Sequence, residues 1–232
     1  MKPLPVRALP RVFVPEADPD GEIELPKEEL DKLRKVLRLS PGAQIAVLPN
    51  NGSLIRCELK VKTAQPLEVF HPNTEAKFQL TVAQALPKGD KLDEIVRACT
   101  EIGVCRFIFF PSDRTVVRWD EKKTADRLHR LEAIAREAAE VSFRTKLPTI
   151  GLAKDLREVL SDPAATVLSE SEAAVTALKP AGDAMTIVVG PEGGWSAKEL
   201  QLIGDRGVTL GPRVLRVDHA GPAAAAILLL NR

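Results

Sequence analysis

Tyrosine is absent from this 232-residue sequence, and all aromatic residues together make up 4% of it. A platform of stacked aromatic side chains for single-stranded nucleic acid is therefore not supported. Cysteine is nearly as scarce. Cys57, Cys99 and Cys105 are an odd number without metal-ligand spacing, which argues for structural thiols in a reducing, cytoplasmic setting. The histidines are only His71, His129 and His219, so a zinc site, and with it any metal, is not expected. Neither sign of charge is in excess: 33 Lys and Arg stand against 32 Asp and Glu. Any surface for a polyanion must come from local segregation of charge. No apolar run approaches a membrane span; the longest covers residues 223–230. Lys2 and Arg7 precede no apolar core, so no secretory leader is expected.

Two patterns follow one another along the chain. Residues 1–76 predict a small β-rich domain with one helix. Strands are expected at 11–14, 44–48 and 54–59, the last two joined through Asn50-Asn51-Gly52, a strong hairpin signal. Leu30, Leu33 and Leu37 recur at helical spacing within 28–39, which places them on one inward face. From residue 77 strands alternate with helices. Strands are expected at 78–85, 106–110, 165–168, 186–189 and 208–210. Helices are expected at 90–102, 121–142, 154–160, 172–178 and 196–206, with a last one starting at Gly221-Pro222. Such alternation predicts an α/β domain, residues 77–232, with a mostly parallel sheet.

Chemistry concentrates in two glycine-proline turns. Gly190-Pro191-Glu192-Gly193-Gly194 follows the buried strand at 186–189, and Leu210-Gly211-Pro212-Arg213-Val214-Leu215-Arg216 follows the strand at 208–210. Loops at the carboxyl ends of strands gather into ligand sites in open α/β sheets. Neither turn matches the P-loop or the dinucleotide fingerprint, so phosphate cradling is not favoured. After the first turn, Ser196 and Glu199 form a capping-box pattern. Ser112-Asp113-Arg114 ends another strand, and Arg144 and Lys146 follow the long helix, where the helix dipole alone accounts for them. Arg34 and Arg38, one helical turn apart, join Arg11 as a basic stripe; a solvated helix face explains the same spacing.

Together these motifs resemble the RsmE family of small-subunit (16S) ribosomal RNA uridine-N3 methyltransferases, in the SPOUT superfamily. The resemblance also rests on Arg11-Val12-Phe13-Val14, Val36-Leu37-Arg38-Leu39, Gly89-Asp90-Lys91, Glu101-Ile102-Gly103-Val104 and Glu137-Ala138-Ala139-Glu140. It implies a PUA-like β-barrel for RNA binding, then an α/β domain whose C-terminus is threaded into a deep trefoil knot. It implies a homodimer and S-adenosylmethionine held by three loops. These are Leu168, Ser169 and Glu170; Gly190, Pro191, Glu192 and Gly193; and Leu210, Gly211, Val214, Leu215 and Arg216.

The implied substrate is a decoding-region uridine of 16S ribosomal RNA, in a small (30S) subunit or its precursor. On this reading Asp218, Arg216 and Arg114 are the catalytic candidates, Asp218 as the base that takes the N3 proton. Arg11, Arg34, Arg38, Arg114 and Arg144 are the RNA-binding candidates. Three segments depart from the family pattern. Arg216-Val217-Asp218-His219-Ala220 stands where Arg-Thr-Glu-Thr-Ala is usual. Glu140-Val141-Ser142-Phe143-Arg144 stands where Glu-Gln-Ser/Cys-Gly-Arg is usual, and Ser112-Asp113-Arg114 replaces Ser-Glu-Arg. A tRNA-directed methyltransferase, or a catalytically weakened RNA-binding assembly factor, are the alternatives.

Overall fold

The computed structural model describes residues 4–117, 119–170 and 176–230. The chain divides into two compact units, Met1–Glu75 with Ala139–Leu147, and Ala76–Ala138 with Pro148–Arg232. One division falls between Glu75 and Ala76. The return of residues 139–147 to the first unit was not expected.

The first unit is built on a five-stranded mixed sheet. Its strands are β1 (Arg11–Phe13), β2 (Ile23–Glu24), β3 (Gln44–Leu48), β4 (Leu54–Leu59) and β5 (Thr63–Phe70), in the order β1-β3-β4-β5-β2. The β3–β4 hairpin turns through Asn50 and Gly52, both in the left-handed region (φ 67 and 101). Asn51 fixes the loop by accepting hydrogen bonds from the Ser53 amide and hydroxyl. Strand β5 tolerates Pro66 at a register shift opposite Arg56 and Cys57.

The expected helix is short here. α1 (Lys27–Asp31) passes into a π-helical turn, Lys32–Val36. The wider turn carries Leu37 off the buried face, so Leu33 is buried while Leu37 is 43% exposed. Arg38 closes the turn in the left-handed region (φ 54), and the Leu39 amide reaches back to the Leu33 carbonyl.

The second unit holds a six-stranded, all-parallel sheet. Its strands are β6 (Gln79–Ala85), β7 (Arg106–Phe110), β8 (Thr149–Leu152), β9 (Ala165–Leu168), β10 (Ala184–Val189) and β11 (Gly207–Val208). Their order is β11-β9-β10-β6-β7-β8. Phe107, Phe109 and Phe110 of β7 are fully buried, each contributing about 1.5–3 kcal/mol by leaving water. The helices are α2 (Lys91–Ile102), α3 (Glu121–Val141), α4 (Leu156–Val159), α5 (Ala197–Ile203) and α6 (Val217–Leu229). α6 packs against α2, β6 and β10, and its buried Gly221, Ala224 and Ala225 permit the close approach.

Two expectations change in this unit. α6 begins at Val217, four residues before Gly221, so Pro222 lies inside the helix rather than at its first position. Proline lacks an N–H, so it cannot donate to the carbonyl four residues back, that of Asp218. The helix expected at 172–178 falls mostly outside the described residues; of its remainder, Ala177 forms a parallel bridge with Thr209.

Candidate active site

The strand order reverses between β6 and β10. The chain moves outward from β6 to β7 and β8, then returns to lay β10 on the other flank of β6. Ligand crevices form at such switch points, at the carboxyl ends of the strands. A cleft of about 1090 Å³ opens at the carboxyl ends of β9, β10 and β11. Its walls are the three segments singled out in the sequence. Leu168, Ser169 and Glu170 leave β9; Gly190, Pro191 and Glu192 leave β10; Leu210, Gly211, Val214, Leu215 and Arg216 lead from β11 into α6. Gly193 does not line the cleft, and its neighbour Gly194 does.

Backbone geometry explains the glycines. A Cβ on Gly190 would stand 3.0 Å from the Trp195 ring, and Gly211 has φ +120. Trp195 is buried and stacks on Phe110 with ring centroids 6.5 Å apart, and its indole N–H donates to the Leu168 carbonyl at 3.3 Å. Trp195 thus ties the 190–195 wall to the Leu168 wall and to the core beneath. Gln84, fully buried at the end of β6, donates to the Ala85 carbonyl and to the Gly190 carbonyl. Glu192 accepts from Lys91 Nζ at 2.8 Å and from the Lys88 amide at 3.0 Å. Burial acts to raise its carboxyl, but these hydrogen bonds prevail and hold it below the ordinary value.

The catalytic candidates are placed unequally. Arg216 lines the cleft, with 73% of its side chain exposed. Asp218 does not line it, although Val217 and Ala220 on either side do. Its carboxylate lies 3.6 Å from Arg216 Nε and 3.5 Å from His219 Nε2, while its buried Oδ1 has no hydrogen-bond partner. A hydrogen bond from its own backbone N–H, then the charges of Arg216 and His219, hold the carboxyl below its ordinary value. Arg114 is exposed outside the cleft and donates to the Gly193 carbonyl at 2.6 Å.

The RNA-binding candidates of the first unit also separate. Arg38 is exposed. Arg34 donates to the Lys60 carbonyl at 3.3 Å. Arg11 donates to the carbonyls of Glu140 and Arg7 and lies 5.1 Å from the Phe143 ring centroid. Arg144 is buried, with both Nε and Nη2 on Glu75 Oε2. Its guanidinium is therefore part of the fold rather than of a surface. Sequence reasoning missed Trp195, Lys91 and Thr209 in the cleft. A tryptophan directly after Gly193-Gly194 was the available signal for the first, and the Gly89-Asp90-Lys91 segment of the family resemblance for the second; Thr209 carried none.

An RNA methyltransferase domain family matches residues 74–229. The ribosomal RNA small subunit methyltransferase E of Bacillus subtilis is 33% identical over 214 residues, covering 83% of this chain and 84% of that one. The chain belongs to the ribosomal RNA small subunit methyltransferase E family. A Synechocystis member is 33% identical over 237 residues, covering 95% of this chain and 77% of its own. Among solved structures, the Neisseria gonorrhoeae member, bound to S-adenosyl methionine, superposes with a TM-score of 0.85. It is 27% identical and covers 94% of this chain and 95% of that one. The second unit thus has the α/β methyltransferase fold of the family.

Proposed function

We propose that the protein transfers a methyl group from S-adenosylmethionine to N3 of a uridine in 16S ribosomal RNA. The observation that carries this reading is the convergence of three backbone-rich loops on one cleft, with Arg216 at its edge. The residues present fit the cofactor. Leu168, Ser169 and the 190–194 and 210–216 turns offer backbone donors and acceptors, and Gly190 keeps the Trp195 ring clear of any side chain. When bound, S-adenosylmethionine supplies a methyl group on a positively charged sulfur, an electrophile that needs no further activation.

The protein's task is then alignment and charge. N3 of uracil carries a proton and is used in base pairing, so the target base must be unpaired or flipped out. Arg216 stabilises the uracil anion as that proton leaves. Asp218, held ionised by its own amide, is a poor proton acceptor; its part is to orient Arg216. Arg114 grips the RNA at the cleft rim, and the exposed Lys35 and Arg38 of the first unit contact phosphates.

Further parts of the family pattern belong to the same proposal. The first unit's mixed sheet supports a PUA-like domain. The return of the chain from the edge strand β11, past the Ala177–Thr209 bridge, to α6 on β6 and β10 supports a trefoil knot. Exposed Ile227 and Leu230 on and beside α6 support a homodimer. The setting is the cytoplasm, with the 30S subunit or its precursor as substrate.

The test is to incubate small subunits lacking the modification with the protein and methyl-labelled S-adenosylmethionine. Label at a uridine N3 of 16S RNA is expected. Label confined to tRNA would replace the substrate. Tight cofactor binding with no label in either RNA would make the protein an assembly factor.

A further inference from the structure

A capping box needs little from its acidic residue: one oxygen to accept the N-cap amide. Glu199 supplies that, through Oε2 to the Ser196 amide at 2.8 Å. Yet it is 3% exposed, and its other oxygen is also fully used. Oε1 accepts from the Ser112 hydroxyl at 2.8 Å and from the Asp113 amide at 3.0 Å, residues 87 and 86 positions away. Ser196 adds a second tie, because its hydroxyl accepts from the Glu199 amide and donates to Asp113 Oδ2 at 2.6 Å. Burying a carboxylate is costly unless its oxygens are bonded, and here the bonds run between the loop after β7 and the start of α5.

What this double tie positions is the next residue in the loop. Arg114 leaves Asp113 and lies on the 190–194 turn, its Nη1 on the Gly193 carbonyl at 2.6 Å and its Cβ 3.3 Å from where a Gly193 Cβ would stand. That turn is a wall of the cleft. We propose that Glu199 is a positioning residue. It fastens the 112–114 loop to the 190–196 loop, and so sets Arg114 at the cleft rim where RNA is received. It touches neither cofactor nor RNA and acts through Arg114. The inference rests on the methyl-transfer reading for what Arg114 receives.

A double-mutant cycle between Ser112→Ala and Arg114→Ala tests it. Ser112→Ala cuts one tie and leaves the capping box whole. Glu199→Gln is the stronger cut, because its amide group must face a donor at one end or the other. With saturating S-adenosylmethionine, each single variant is expected to lower kcat/KM for subunits about tenfold, as misplacement of a gripping group does. The cofactor Kd stays within about twofold, because the cleft-lining residues are untouched. The double variant is expected to be no worse than Arg114→Ala alone, since coupled residues are non-additive. The same cycle read as RNA Kd, with cofactor-loaded protein, does not depend on methyl transfer. An inactive wild type would thus overturn the function and leave the positioning measurable. Additive losses, or a cofactor Kd that weakens in step with Tm, would overturn the positioning role. Should Glu199→Gln fail to fold, the Ser112 cycle decides alone.

Discussion

The segments 140–146 and 209–218 each contain an arginine paired with an acid, and the two pairs do opposite work. Arg144 has 5% of its side chain exposed and lies against Glu75. Glu75 also accepts from the amides of Thr145 and Lys146 and from the Thr145 hydroxyl. Its hydrogen-bonding capacity is filled, so the pair fastens the 139–147 segment within the first unit. Arg216 is 73% exposed, its acid is 3.6 Å away, and a buried oxygen of that acid is unbonded. A cation with its acid filled is structure; a cation held loosely at a cleft edge is available to a ligand.

The comparison breaks first at Glu75. Replacing it by alanine strips the carboxylate from a buried guanidinium and leaves two amides without their acceptor. Loss of about 3–5 kcal/mol is expected, the range for breaking a buried pair from one side, measured by urea unfolding. A loss below about 1 kcal/mol would mean that apolar contacts alone hold the segment. Arg216→Ala should show the converse. Stability changes by less than about 0.5 kcal/mol, while kcat/KM falls about 10²–10³-fold, as for other donors that stabilise a developing anion.

Asp218→Asn distinguishes orientation from base catalysis at the same place. An orienting role predicts a fall below about tenfold, whereas loss of a general base costs about 10²–10⁴-fold. The pH dependence has the same sign for either role. A carboxyl held below its ordinary value stays ionised throughout the neutral range, and its effect is lost only as pH falls through that depressed value. Wild-type kcat/KM should therefore show no acid limb from Asp218 between about pH 6 and 8, where an unperturbed carboxyl is already ionised.

Much of this was legible in sequence, for reasons that differ by element. Strands β3, β4, β7 and β9 begin and end where expected, because apolar or alternating runs meet turn residues at both ends. Two walls of the cleft, 190–194 and 210–216, were legible because glycine and proline mark backbone that must turn sharply; the third, 168–170, came only from the family resemblance. Strand β2 was not legible, being two residues long and too short for a period to show; β8, Thr-Ile-Gly-Leu with no buried residue, offers neither an apolar run nor a clear alternation. Pro222 misplaced the start of α6, because proline's preference for the first helical turn is statistical while packing on β6 and β10 sets the true start. The bonds from Ser112 and Asp113 to Glu199 cross 86 or 87 residues, and no local pattern carries that distance.

The smallest effect is expected at Phe143, and it sharpens the contrast between the two segments. Gly211 adopts its left-handed backbone (φ +120) without a side chain to resist it. Phe143 adopts φ +65 with a full aromatic ring, at a position where the family pattern has glycine. That conformation costs a residue with a Cβ about 1–2 kcal/mol. The ring offsets the cost in place. It packs beside the cluster of Leu9, Phe13 and Leu48, and the guanidinium groups of Arg7 and Arg11 lie 5.3 and 5.1 Å from its centroid. Each such contact contributes about 0.5–1 kcal/mol at a partly exposed site. Phe143→Gly removes strain and contacts together, so the urea-unfolding free energy should move by less than about 1 kcal/mol. A stabilisation well beyond that would show that the ring's contacts with Arg7 and Arg11 contribute nothing and that the first unit carries uncompensated strain. A loss well beyond it would make Phe143 a second fastening of the 139–147 segment, beside Glu75.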